Sequence, residues 1–226
     1  MLNPKKKLSK KELKEDKFVL AVLRAREVLE EHSRTILYGI LGVLVIFLLA
    51  SFYSQSKKKA QEEASVLLSE AQVALGQGDE NAAIAKLNDL SDRYEGTPSA
   101  GYATFLLGKL YWQKNDTLKA KTYFKRYIDN YADDKFLTQA ALAGYADCLI
   151  LEKNYAEAAR YYERAAKVNP EFPEAPGYLY SAAMAYMDAG ELEKARKVLD
   201  HLMEKYEDSP YKSKAEMLLA QLRFRS

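Results

Sequence analysis

LGKLYWQKNDTLKAKTYFKRY, residues 107–127, is the stretch that decides how this 226-residue chain folds. Leu107, Gly108 and Tyr111 recur at helical spacing, Asn115-Asp116 marks a turn, and Ala120, Phe124 and Tyr127 resume the helical period. Gly108 and Ala120 are small enough for two helices to approach closely. The large residue four positions beyond Ala120 then fills the space between them. The stretch reads as an antiparallel pair of helices with one apolar seam.

The same landmark repeats outward in both directions. Gly78-Asp79 precedes Ala83 and Leu87, Lys153-Asn154-Tyr155 precedes Ala158 and Tyr162, and Gly190-Glu191 precedes Ala195 and Leu199. Successive turns are 37, 38 and 37 residues apart. One helix pair leaves an apolar face bare, so several must stack to close a core.

These residues resemble the tetratricopeptide repeat. The second pair carries the likeness best, with Leu107-Gly108, Tyr111, Ala120, Phe124 and Tyr127. Leu142, Tyr145-Ala146, Leu149, Ala158, Tyr162, Ala165 and Pro170 are the counterparts in the third pair. Those of the fourth are Leu179, Ala182-Ala183, Tyr186, Ala195, Leu199 and Leu202. The first pair is the most degenerate, with Leu67, Ala71, Ala74, Ala83, Leu87 and Leu90. Extra length beyond the usual period falls at the junctions Tyr94–Pro98, Tyr131–Asp134 and Tyr206–Pro210.

The expected fold is all-α: an α-solenoid of about four tetratricopeptide-like helix pairs plus a C-terminal capping helix, preceded by a single transmembrane helix. Repeats are expected at about 64–98, 101–135, 139–173 and 176–210 within a repeat domain spanning 60–226. A cap helix over 211–224 turns Ala215, Leu218, Leu219 and Leu222 inward and Lys212, Lys214 and Glu216 outward.

The transmembrane expectation, over 35–54, rests on Ile36 to Tyr53, which holds twelve Leu, Ile, Val or Phe residues and no charge. Eighteen residues of helix span about 27 Å, close to the thickness of a bilayer's hydrocarbon layer. Thirty-four residues precede Thr35, Lys57 would directly follow a small-residue cleavage site at Ser54 and Ser56, and no cysteine lies near the run. Those features favour a retained anchor over a cleaved signal or a lipid-modified one. No Pro or Gly interrupts Ser54 to Leu75, so the membrane helix is expected to run almost unbroken into the repeats.

Charge is distributed unevenly beneath a formal +2. Residues 1–34 carry ten Lys or Arg against six Asp or Glu, Lys57–Lys59 add three more positive charges, and 60–226 hold twenty-one basic against twenty-six acidic residues. A mildly acidic domain argues against nucleic acid as a partner. The basic excess before the span predicts a cytoplasmic N-terminus and an extracytoplasmic repeat domain. Lysines 5, 6, 7, 10, 11, 14 and 17 read as a solvated cytoplasmic tail, with contact to ribosomal RNA or another acidic partner as the sharper reading. Phe18, Val22, Ala25 and Leu29 follow at helical spacing, predicting a short amphipathic helix within the 1–34 segment.

Neither a phosphate-cradling glycine loop, a paired-histidine metal motif nor a Gly-x-Ser-x-Gly elbow occurs. Catalytic, cofactor-binding and metal-binding residues are therefore none, and no small-molecule substrate is expected. Cys148, the one cysteine, falls in an Ala/Leu-rich helical stretch and reads as a buried thiol. His201, near Asp200 and Glu204, reads as a surface residue.

Binding remains. In the repeats this chain resembles, the first helix of each pair lines a groove. That likeness implies a protein-binding groove formed by Phe105, Lys109, Trp112 and Gln113, then Asp147 and Ile150, then Tyr180, Met184 and Met187. A clamp of Lys and Asn for C-terminal carboxylates is not reproduced.

Basic tail, anchor and outward repeat domain together resemble the ancillary subunit of the Sec translocon in bacterial inner membranes, whose repeat-domain class is shared by the periplasmic cell-division coordinator. The resemblance implies a scaffold in the bacterial inner (cytoplasmic) membrane that hands secreted proteins to periplasmic factors. Translocon subunits, periplasmic chaperones or division and envelope proteins would be its partners. An envelope-assembly or cell-division scaffold is the alternative, and a cytoplasm-facing repeat adaptor or regulator is a third reading.

Overall fold

The computed structural model describes residues 10–225, and among them there is helix and turn but no strand. The chain divides into two compact parts, Met1–Lys57 and Lys58–Ser226.

In the first part, α1 runs Lys10–Glu31 and α2 begins at Ser33. Every side chain from Leu37 to Tyr53 is exposed. Phe18, Val19, Leu20, Val22 and Leu23 of α1 are exposed too. Lysines 5, 6 and 7 lie outside the described residues, as do the side chains of lysines 10, 11, 14 and 17 and of Ala25, Leu29 and Ile36.

In the second part, α2 continues to Gly76 and supplies the first helix of the first pair, with α3 at Glu80–Arg93 as its second. The next pairs are α4 (Pro98–Gln113) with α5 (Thr117–Asn130), α6 (Lys135–Leu151) with α7 (Tyr155–Val168), and α8 (Ala175–Asp188) with α9 (Leu192–Lys205). A last helix, α10, covers Tyr211–Arg225. From α3 to α10 each helix packs on the next, and α4 also packs on α6 and α8 on α10. That succession is an α-solenoid.

The two helices of a pair differ in composition because they differ in surroundings. Second helices carry a single buried stripe, such as Ala120, Phe124, Tyr127 and Ile128 on α5. First helices are covered on more sides, and α6 buries nine of its residues, from Thr138 to Leu149. Such helices need Ala and Gly because neighbours approach from two directions. Ala83, Ala120, Ala158 and Ala195 are all fully buried, one in each pair.

Each turn within a pair is closed by one residue in the left-handed region: Gly78 (φ 79°), Asn115 (φ 59°), Lys153 (φ 62°) and Gly190 (φ 76°). Asp79 and Asp116 then cap the following helices, accepting from the N–H of Ala82 and Lys119 at 2.9 and 3.2 Å. Thr97 and Asp134 do the same for α4 and α6.

Adjacent pairs are fixed in register by polar bonds about one period apart. The Tyr123 hydroxyl donates to Asn88 Oδ1 at 2.5 Å, Arg126 reaches Asp92 at 2.8 Å, and Lys121 reaches Glu152 at 2.5 Å. The long junctions contribute too. Tyr131, which caps α5, accepts from the Gly96 N–H at 3.3 Å, and Tyr206, which caps α9, donates to the Pro170 carbonyl at 2.8 Å. These two tyrosines therefore tie the second and fourth pairs back to the previous junction. In α10, Ala215 and Leu222 are buried, Leu218 and Leu219 are half-buried, and Lys214 and Glu216 are exposed. The last pair is covered by a helix with a wet outer face.

Candidate protein-binding groove

The first helices α4, α6 and α8 carry the nine residues expected to line a groove. Seven of them reach solvent. Lys109, Gln113 and Met184 are exposed, Met184 to 44 %, and Trp112, Asp147, Ile150 and Tyr180 are half-buried. Trp112, Ile150 and Tyr180 rest on one continuous core, so the apolar floor is fixed by packing that the fold needs anyway.

The other two are core residues. Phe105 is 6 % exposed, its ring 5.8 Å from Tyr127 and 6.2 Å from Phe124. The rings meet because Gly108, one turn along α4, leaves room for Phe124: a Cβ there would stand 2.8 Å from the ring. Met187 is 9 % exposed and packs into the same core from α8. Phe105 is covered by α5, the second helix of its own pair, and Met187 by the core beneath the last pair. Phe105 keeps one outward contact, with Lys109 Nζ 5.9 Å from its ring.

Asp147 is the polar centre of this surface. Its carboxylate accepts a hydrogen bond from the Tyr162 hydroxyl, and it has no ion-pair partner among the described residues. Burial raises its pKa, and the Tyr162 bond opposes part of that rise. Tyr162 moves up as well, first from its own burial and then from the Asp147 charge. Asp147 is thus a half-buried carboxylate, and its charge also perturbs the half-buried Tyr178. The α8 end is closed by aromatic contact, with the Tyr180 and Tyr211 rings 5.7 Å apart. Tyr211 lies over Gly177, where a Cβ would meet its Oη at 3.0 Å.

Two residues of this surface escaped the sequence reading. Leu151, exposed to 61 %, stands one period after Gln113 and was findable by aligning the pairs. Tyr178 offered no such signal, because its nearness to Asp147 depends on how α8 stacks on α6 and α7. Cys148, next to Asp147, is fully buried and its thiol is pushed up to about 12, chiefly by burial. His201 is exposed, as expected. Among the described residues no group of three or more His, Cys, Asp or Glu is placed to hold a metal ion.

A family model described as tetratricopeptide repeat-like domain matches residues 26–175, and a second, tetratricopeptide repeat, matches 149–222. No curated protein matches the chain. Among solved structures, a tetratricopeptide repeat protein from Parabacteroides merdae is similar with a TM-score of 0.58 and 18 % identity. That match covers 74 % of this chain and 61 % of the other, so this chain spans less than two thirds of it. MamA from Desulfovibrio magneticus is similar with a TM-score of 0.54 and 19 % identity, covering 72 % of this chain and 84 % of that one. The pilF protein of Pseudomonas aeruginosa gives 0.51 and 14 %, covering 75 % and 70 %. At these identities the likeness is one of fold.

Proposed function

Because this chain belongs to the tetratricopeptide repeat-like family, whose domains are protein-interaction scaffolds, we propose that it is a membrane-anchored scaffold that binds partner proteins on its first-helix surface. The observation that carries the anchored part is the stretch Leu37–Tyr53 of α2, exposed at every side chain and free of charge. Among the described residues, α2 is the one helix long and apolar enough to cross a membrane. So much bare apolar surface is costly in water and favourable in lipid, by about 0.3–0.6 kcal/mol for each large apolar residue at a span's centre.

The basic excess before the span supports a cytoplasmic N-terminus, with the repeat domain on the extracytoplasmic face of a bacterial inner membrane. There the scaffold serves as an accessory of the Sec translocon, handing secreted proteins to periplasmic factors. The surface suits that work. Trp112, Ile150, Tyr180 and Met184 offer adaptable apolar contact, while Lys109, Gln113 and Asp147 supply polar anchors.

Affinity purification from mild detergent tests this reading, with the full chain compared against a Trp112→Ala, Met184→Glu variant of unchanged helicity. Translocon subunits should co-purify with the parent chain and be depleted with the variant. Their consistent absence from the parent contradicts the translocon role, and division or envelope-assembly proteins in their place would support the alternative. Equal recovery by both forms contradicts the first-helix surface as the binding face.

A further inference from the structure

A second recessed site lies between the second helices of the last two pairs, away from the residues of the proposed groove. It is a cavity of about 350 Å³ between α7 and α9. Ala166, Leu179 and Val198 give it an apolar floor, and Lys167, Lys197, Lys205 and His201 stand around it. One carboxylate, Glu163, also lines it, and this group accepts from the Tyr186 hydroxyl at 3.4 Å. Lys205 sits 4.0 Å from the exposed Glu171. Lys167 and Lys197 have no ion-pair or hydrogen-bond partner among the described residues.

That imbalance is informative because of where it occurs. Residues 60–226 as a whole carry more acidic than basic side chains. On the second helices α3 and α5 the lysines and arginines are spent on carboxylates, as with Lys86–Glu70, Lys121–Glu152, Lys125–Asp129 and Arg126–Asp92. Around this cavity two lysines stand unmatched over an apolar floor. A fully solvated rim would need no recess beneath it.

We propose that the cavity between α7 and α9 is a docking site for an acidic protein segment carrying one apolar side chain. The apolar group occupies the floor over Ala166, Leu179 and Val198. Flanking carboxylates pair with Lys167 and Lys197, and the acidic junction at Glu207-Asp208 next to Tyr206 repels the wrong register.

The test uses the full chain in zwitterionic detergent and a short fluorescent peptide of glutamates flanking one phenylalanine, read by anisotropy. Lys167→Gln with Lys197→Gln should weaken binding by about tenfold, with the parent affinity falling as salt rises. Lys135→Gln, at the exposed start of α6, should leave binding unchanged, and Lys197→Arg should retain it. Replacing the peptide's phenylalanine by serine should also weaken it. An affinity unmoved by the double variant with its melting curve intact overturns the proposal, as does an equal loss with Lys135→Gln. Displacement by inorganic phosphate as effective as by unlabelled peptide, or by phosphatidylglycerol vesicles, would mark a site for a simple anion or a lipid surface and overturn it too.

Discussion

Gly144 of α6 yields its side-chain space to the ring of Phe124 on α5: a Cβ built there would stand 2.6 Å from the ring's Cζ. Gly108 meets the same ring from the other helix pair contact, at 2.8 Å from Cδ1. One phenylalanine is thus wedged between two bare backbones in consecutive pairs.

Gly144→Ala should therefore destabilise the repeat domain by about 1–3 kcal/mol, the cost of overpacking a filled core. The sign is diagnostic, because Ala in an open helical site is favoured over Gly by about 1 kcal/mol. Urea unfolding followed by Trp112 fluorescence measures it. Adding Phe124→Leu should make the alanine less costly than it is alone, since the two changes share one contact.

Lys153 holds a left-handed backbone that its side chain disfavours, where Gly78 and Gly190 hold the same shape freely. Lys153→Gly should raise the unfolding free energy by about 1 kcal/mol, and Gly190→Ala should lower it by about as much. Opposite signs at equivalent positions would establish that the turn conformation is common to the pairs.

The raised pKa of Asp147 makes stability depend on pH in a defined direction. A carboxyl whose folded value lies above its unfolded one contributes stability that is fully present below the unfolded value. That contribution is lost as pH rises through the folded value. Asp147→Asn keeps an acceptor for Tyr162 and removes the charge. Its stability relative to the parent should increase as pH rises through the window above the ordinary carboxylate range. A difference that is flat across that window contradicts the assignment.

Cys148 is fully buried and its thiol is held far from ionisation. In the folded chain a disulfide reagent should modify it slower by roughly a thousandfold or more than in urea, at a rate set by opening of the helix stack. Fast modification without denaturant would show that α6 is not covered as described.

Much of this architecture is legible in the chain itself. The left-handed residues at 78, 115, 153 and 190 fall in the turns where period and composition place them. The alanines four residues into each second helix are buried to the last atom. Both follow from rules acting within one pair: a short turn needs a permissive residue, and a close crossing needs a small one. What lay beyond reach depends on how the helices are rotated against one another. Phe105 turns toward Phe124 and Tyr127 of α5 within its own pair, and Met187 turns into the core. The same rotation brings Lys167 of α7 opposite Lys197 of α9, thirty residues later, around one cavity. Tyr131 and Tyr206 looked like spare length in the junctions and prove to be ties, because their hydroxyls find backbone one period back.

The claim on which the functional account rests is that the Leu37–Tyr53 stretch holds this scaffold in a bilayer, with its repeats outside the cytoplasm. Carbonate extraction of membranes, followed by protease treatment of intact spheroplasts and blotting for an epitope after Arg225, measures both halves at once. The account predicts a chain that stays in the carbonate pellet and a repeat domain that is digested without lysis. Recovery of the full-length chain in the soluble fraction, or an epitope that survives until the cells are broken, would contradict it.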